Sequence, residues 1–264
     1  MSHSREYKME AFGKLLDVLD ELREKCPWDR KQTNQSLRCN TIEEVYELSG
    51  ALIDEDSLNI KKELGDVLLH IVFYSKIADE KQEFDIADVC DSLREKLIFR
   101  HPHVFGEVHV SGSSEVEHNW EQLKLKEKNG NKTILGGVPK ALPSLIKSER
   151  IQEKASNAGF DWDEPSQVWD KVKEELGEVE KELKSGTAED KEAEFGDLLF
   201  SVVNAARLYK VNVDNALERT NQKFIRRFNY IEEKAKEQGK KLSDMTLAEM
   251  DALWNEAKTL EGKM

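Results

Sequence analysis

One string of acids occurs twice. Glu43-Glu44-Val45-Tyr46-Glu47 in the first half answers Glu174-Glu175-Leu176-Gly177-Glu178 in the second. Sixteen residues after each final glutamate a second acidic pair begins, Glu63-Leu64-Gly65-Asp66 and then Glu194-Phe195-Gly196-Asp197. All five acids recur at one offset, 131 residues, and each aspartate opens an apolar run, Val67-Leu68-Leu69 or Leu198-Leu199-Phe200. Upstream, Pro27-Trp28-Asp29 resembles Asp161-Trp162-Asp163; downstream, Lys96 and Arg100 resemble Lys223 and Arg227. Chance does not keep five positions in register, so the chain is a duplication over roughly 100 residues per copy. The fold must be one that each half can make.

A length of 264 residues suits two domains of about 130 residues each. Five prolines and a wealth of Glu, Lys, Leu and Ala favour helix over strand. Four main helices are expected in each copy: 8–25, 40–54, 58–80 and 85–100, then 144–157, 165–185, 188–210 and 213–238, with a last helix over 246–260. Loop residues gather at Ser111-Gly112-Ser113-Ser114 and from Asn129-Gly130-Asn131 through Gly136-Gly137-Val138-Pro139. The expected organisation is all-α, a tandem of duplicated helical-bundle modules. The N-terminal module covers 1–125, a linker 126–143 and the C-terminal module 144–264.

The formal charge of −13 repels nucleic-acid backbones and anionic membranes, so neither is an expected partner. No run of 18 apolar residues occurs and the N-terminus lacks a signal-peptide core. Three cysteines without a close pair suggest neither a disulfide framework nor a cysteine zinc site. A soluble, cytoplasmic chain is expected.

The acids carry the chemistry. On a helix with 3.6 residues per turn, Val172, Leu176, Val179 and Leu183 form a core stripe, and Glu174, Glu175 and Glu178 crowd the neighbouring flank. The segment from Phe195 through Leu208 is apolar nearly all round, the pattern of a buried helix, yet Glu194 and Asp197 sit at its start and Asn204 lies two turns beyond Asp197. Burying unpaired carboxylates costs several kcal/mol each. Two adjacent antiparallel helices would bring these acids together, and a hard divalent ion with oxygen ligands, Mg2+ or Mn2+, relieves the repulsion. Gly196 and Gly65, expensive inside helices, are expected where another backbone or a ligand passes close. A solvated helix face is the bland reading of Glu-Glu-x-x-Glu alone. The matched second pair on an apolar helix, and the repetition of the whole, favour metal.

Glu-Glu-x-x-Glu followed by Glu-x-x-Asp resembles the signature of the MazG-type nucleotide pyrophosphohydrolases, in their two-module bacterial form. Cys-Pro-Trp-Asp at 26–29, Arg-His-Pro-His-Val-Phe at 100–105, Gly-Phe-Asp-Trp at 159–162 and Lys-Phe-x-Arg-Arg-Phe at 223–228 are similar to that subfamily, over nearly the whole chain. The resemblance implies a dimerising helical module that holds Mg2+ and cuts nucleoside triphosphates between the α and β phosphates. Monophosphate and pyrophosphate are the implied products, with broad base tolerance and a housekeeping role in the nucleotide pool. Residue by residue, it implies metal ligation by Glu175, Glu178, Glu194 and Asp197, with Glu174 orienting or deprotonating the attacking water. It also implies triphosphate contacts by Lys223, Arg226 and Arg227, on one flank of a helix whose core stripe is Leu217, Phe224, Phe228 and Ile231. Lys171 and Lys191, one turn before Glu175 and Glu194, are further phosphate candidates. Trp254 matches a tryptophan near the nucleotide, or else serves helix packing or the dimer. Trp28 and Trp162 read as packing residues.

The first copy retains a possible second site, Glu43, Glu44, Glu47, Glu63 and Asp66, but has His70 and Phe73 where the second has Ser201 and Asn204, and Phe99 where it has Arg226. The second copy is therefore the expected active module, which leaves the first weakly active, inactive or regulatory. The main alternative is a non-catalytic helical module for dimerisation or regulation. A di-iron bundle would need Glu-x-x-His on two helices, and Glu115-Val116-Glu117-His118 is the only such string. His101-Pro102-His103 reads as a turn rather than a zinc site.

Overall fold

The computed structural model describes residues 2–112, 115–116, 119–120, 123 and 133–261. Every regular element among them is helical. In chain order the α-helices are α1 (Arg5–Lys25), α2 (Asn34–Ile53), α3 (Ser57–Asp79), α4 (Ile86–Arg100), α5 (Pro102–Phe105), α6 (Ser144–Asn157), α7 (Val168–Ser185), α8 (Ala188–Leu208), α9 (Val213–Glu237) and α10 (Leu247–Glu261). The chain divides into two compact units, Met1–Val116 and Glu117–Met264. The expected linker at 126–143 lies partly outside the described residues, as do Glu117 and His118 of the Glu-x-x-His string. The 3-10 turn Leu135–Gly137 packs on α6.

Helix starts follow local chemistry. Thr33 and Ser36 form a capping box, each side chain accepting the other's backbone N–H, so α2 begins at residue 34 rather than 40 as the apolar pattern alone suggests. Asp85 with Asp88 opens α4 and Thr187 with Asp190 opens α8 in the same way. Asp56 caps α3 and Asn212 caps α9. Few residues separate α2 from α3, or α7 from α8, so each pair returns antiparallel and packs along its length.

In the first unit Leu19, Leu37, Val72, Phe73 and Ile77 make the buried centre, flanked by Phe12, Leu15, Leu16, Leu68, Tyr74 and Ile86. The Arg23 guanidinium lies 5.4 Å over the Phe73 ring. Its Nε and Nη2 grip Glu80 at 2.8 and 2.5 Å, while Nη1 donates to the backbone carbonyls of Asp29 and Gln32. One side chain thereby ties the Cys-Pro-Trp-Asp turn to α3. Phe73→Ala removes the ring from this centre and is expected to cost about 3–5 kcal/mol, read from the urea midpoint of the first unit's transition.

In the second unit Gly159, at φ +93°, closes α6 in the left-handed conformation, with Phe160 N–H bonded to Ala155 O at 3.0 Å. The turn delivers Asp161 to Arg207 of α8, which grips it through Nη2 at 2.5 Å and Nη1 at 3.0 Å. Burial alone would raise the Asp161 pKa, but bonds from Arg207, Ser156 and the Trp162 N–H outweigh it and hold the carboxyl low.

Several expected packing roles are corrected. The α8 helix is not buried all round: Ser201, Val203 and Ala205 face inward, whereas Phe195, Leu199, Phe200 and Val202 are exposed. Among the described residues α7, α6 and α9 pack on α8 and leave these side chains uncovered. In the α9 stripe only Ile231 is buried, while Leu217, Phe224 and Phe228 are exposed. Trp28 and Trp162 are exposed too. Among the described residues, a Cβ placed on Gly65 or Gly196 meets nothing within 4 Å, so the expected close approach of another backbone is not found where a side chain would stand.

Candidate metal centres

The two antiparallel pairs do bring acids together. Carboxylate oxygens of Glu175 on α7 and of Glu194 and Asp197 on α8 lie within 4.8 Å of one another, and Glu44 on α2 with Glu63 and Asp66 on α3 repeat the arrangement. Glu175 is 6% exposed and Glu63 4%, so a bland solvated face does not describe either group. Glu178, on the next turn of α7 and exposed, lies outside that group of three, although its charge bears on Glu194. Glu47 is the matching residue of the first unit. Glu174 and Glu43 stand on the exposed side.

Crowding shows in the electrostatics. Burial, followed by the charges of Glu178, Asp197 and Glu175, pushes the Glu194 pKa above its ordinary value. Burial, then Asp66, Glu47 and Glu63, raises Glu44, with Lys62 opposing. One oxygen in each group, Oε2 of Glu63 and Oε2 of Glu194, is buried with no hydrogen-bond partner. Carboxylates from two helices with an orphaned oxygen among them suit a hard divalent cation, which would take that lone pair and relieve the repulsion at once. The donor set therefore fits the expected ion.

Each group also has a lysine at its rim. Lys171 reaches Glu175 at 2.7 Å and Glu174 at 3.0 Å, and these bonds raise its pKa. In the first unit Lys62 lies 2.8 Å from Glu63, 3.7 Å from Glu47 and 3.9 Å from Asp66. Sequence reasoning missed Lys62, although its position four residues before Asp66 offered the signal. Lys191 is half-buried on α8.

The remaining candidates gather elsewhere. Arg227 donates to Glu261 Oε2 from Nε at 2.8 Å and Nη2 at 2.7 Å, and its guanidinium lies 5.4 Å over the Trp254 ring. Trp254 in turn meets Phe224 at 5.0 Å. Arg226 stands 3.6 Å from Glu261 and, like Lys223, is exposed. These contacts bind α9 to α10, an association that Lys-Phe-x-Arg-Arg-Phe alone did not reveal. Asn204, expected as an acceptor near the metal, instead accepts at Oδ1 from Arg207 Nε at 3.0 Å and Nη2 at 2.8 Å. In the first unit His70 is buried and bonded to Thr41 at 3.1 Å, and burial lowers its pKa. His101 Nδ1 bonds the Leu97 carbonyl at 2.6 Å, which suits a turn.

The sequence model of the MazG nucleotide pyrophosphohydrolase domain matches this chain twice, over residues 32–105 and 164–231. Each match contains one of the two acidic groups. The chain is 43% identical over 250 residues to the nucleoside triphosphate pyrophosphohydrolase/pyrophosphatase MazG of Thermotoga maritima, covering 94% of this chain and 95% of that one. It is 37% identical over 260 residues to the nucleoside triphosphate pyrophosphohydrolase of Escherichia coli K12, covering 96% and 99%. A Mycolicibacterium smegmatis protein of the same name is 34% identical over 147 residues, covering 54% of this chain and 45% of that one.

Proposed function

Because the chain belongs to the MazG nucleotide pyrophosphohydrolase family, we propose that it hydrolyses nucleoside triphosphates between the α and β phosphates, with Mg2+ bound at the second acidic group. The observation that carries the reading is the cross-helix cluster of buried Glu175, half-buried Glu194 and exposed Asp197, with a buried oxygen of Glu194 left unpartnered. Bound there, Mg2+ or Mn2+ supplies an acidified water and neutralises charge growing on the phosphorus oxygens. Glu175, Glu178, Glu194 and Asp197 are the ligands. Glu174, exposed beside them and held by Lys171, orients the attacking water and accepts its proton.

Phosphate charge is met by cations of this chain. Lys171 already sits at the rim of the site, and Lys191 lies one turn before Glu194. Arg226 and Lys223 offer exposed charges, while Arg227 is fixed by Glu261 and Trp254. Guanidinium forks suit phosphate oxygens. Arg226→Ala is expected to raise the KM for triphosphate several-fold, on the order of 1 kcal/mol, and to leave the Mg2+ concentration for half activity unchanged. Separate titrations of nucleotide and metal check it.

The active module in this reading is residues 144–264. A homodimer is supported by the uncovered apolar side of α8, Phe195, Leu199, Phe200 and Val202, and light scattering coupled to gel filtration tests it. No helix among the described residues is long and apolar enough to cross a membrane. Cytoplasmic housekeeping of the nucleotide pool, with broad base tolerance, belongs to the same reading. The decisive assay incubates the protein with a panel of nucleotides and Mg2+. Monophosphate plus pyrophosphate is expected; diphosphate plus orthophosphate would place the cut at another bond. No turnover with any nucleotide, alongside an intact fold, would leave the non-catalytic helical module as the better description.

A further inference from the structure

The duplication is exact in its acids and unequal in its lysines. Lys62 has Ala193 as its counterpart at the common offset, and Lys171 has Asn40. Each acidic group has therefore acquired its own cation, and the two are placed differently. Lys171 lies on α7 and, among the described residues, pairs with Glu174 and Glu175 of the same helix, so it makes no ion pair with Glu194 or Asp197 across the gap. Lys62 spans the gap. Its ammonium reaches Glu47 of α2 together with Glu63 and Asp66 of α3, all within 3.9 Å. Joining carboxylates of both helices is the task a divalent ion would perform there.

We propose that Lys62 is a tethered cation that competes with the divalent ion at the first acidic group, so that the two copies bind metal with unequal affinity. The inference rests on the metal-dependent reading above. Lys62 satisfies the group only in part, because Glu63 Oε2 remains buried without a partner. The metal therefore still gains a ligand by entering. The Lys62 side chain is 61% exposed, so the ammonium can withdraw into water without disturbing the core. Displacement then opposes metal through charge rather than through packing. A unit charge a few ångströms from a doubly charged ion near the surface weakens binding on the order of tenfold or more. The second group carries no such bridge, so it fills first as the metal concentration rises.

The test is calorimetric titration of the full chain with Mn2+, with no nucleotide present. Wild type is expected to show a tighter and a weaker class of sites. Asp197→Asn removes the tighter class and isolates the weaker one. In that background Lys62→Met is expected to tighten the remaining site about tenfold, whereas Lys171→Met leaves it unchanged. Unchanged or weaker Mn2+ binding in Lys62→Met overturns the proposal, and a weakening would make Lys62 a supporting contact instead. Absence of Mn2+ at the first group with and without Lys62 overturns it equally. Wild type that binds no Mn2+ anywhere would instead remove the metal reading itself, so the two failures are distinguishable.

Discussion

Asp197→Asn is expected to lower triphosphate hydrolysis on the order of a hundredfold or more at saturating Mg2+, while Asp66→Asn keeps most of the wild-type rate. The substitution is nearly isosteric, so packing of α8 is preserved and the loss reports charge. Asp197 shares its oxygens' neighbourhood with Glu175 and Glu194, and an amide there supplies a weaker, neutral ligand. Metal affinity and stabilisation of the reacting phosphate fall together. Asp66 occupies the equivalent place in the first copy, where Lys62 already draws on the acids. Pyrophosphate release by the two variants, measured side by side, decides the matter. Equal losses would make both copies necessary for turnover and overturn the assignment of activity to 144–264.

Metal-free protein is expected to gain thermal stability on mild acidification from neutral pH, and to lose that gain when Mg2+ is present. Glu194 has its folded-state pKa raised, first by burial and then by Glu178, Asp197 and Glu175. Between its unfolded and folded values the native state keeps a proton that the unfolded chain has released. Stability therefore falls as pH rises through that window, and above the folded-state value the whole penalty is present. Glu44 behaves likewise in the first unit. Groups of opposite sign act at lower pH. Glu249 is held down to about 2 by Lys240 and Thr246, and Arg227 keeps Glu261 low against its burial. Their contribution is lost only as pH drops through those depressed values.

Mg2+ at about a hundred times its dissociation constant adds roughly 2.7 kcal/mol, or a rise in Tm of about 5–20 °C for units of this size. Glu194→Gln should raise the Tm of the metal-free second unit at pH 7 and abolish that unit's rise with Mg2+. Differential scanning calorimetry at several pH values, with and without the ion, reads both effects. A variant less stable than wild type without metal would show that the Glu194 carboxylate is satisfied by the protein alone.

Much of this was legible in the chain itself. The shared offset of five acids shows that whatever the first half folds into, the second folds into as well, because equal spacing gives equal helical faces. Helical periodicity with a short connection then implies an antiparallel pair, and such a pair places Glu175 opposite Glu194 and Asp197, as Glu44 stands opposite Glu63 and Asp66. Even helix limits agree within a few residues, except at α2, where the Thr33–Ser36 box overrides the apolar pattern.

Only the tertiary structure decided which partner each cation takes and which apolar faces are covered. Lys62 bridges two helices, Arg227 turns to Glu261 and Trp254, and Asn204 turns to Arg207. Long side chains choose among neighbours brought close by the rotation of one helix against another, and a sequence pattern records the face of a helix but not what stands opposite it. The same reason explains α8, whose all-round apolar composition promised burial while its neighbours leave Phe195, Leu199, Phe200 and Val202 uncovered. Periodicity reports how much surface a helix offers for burial; the packing of the other helices determines how much is taken.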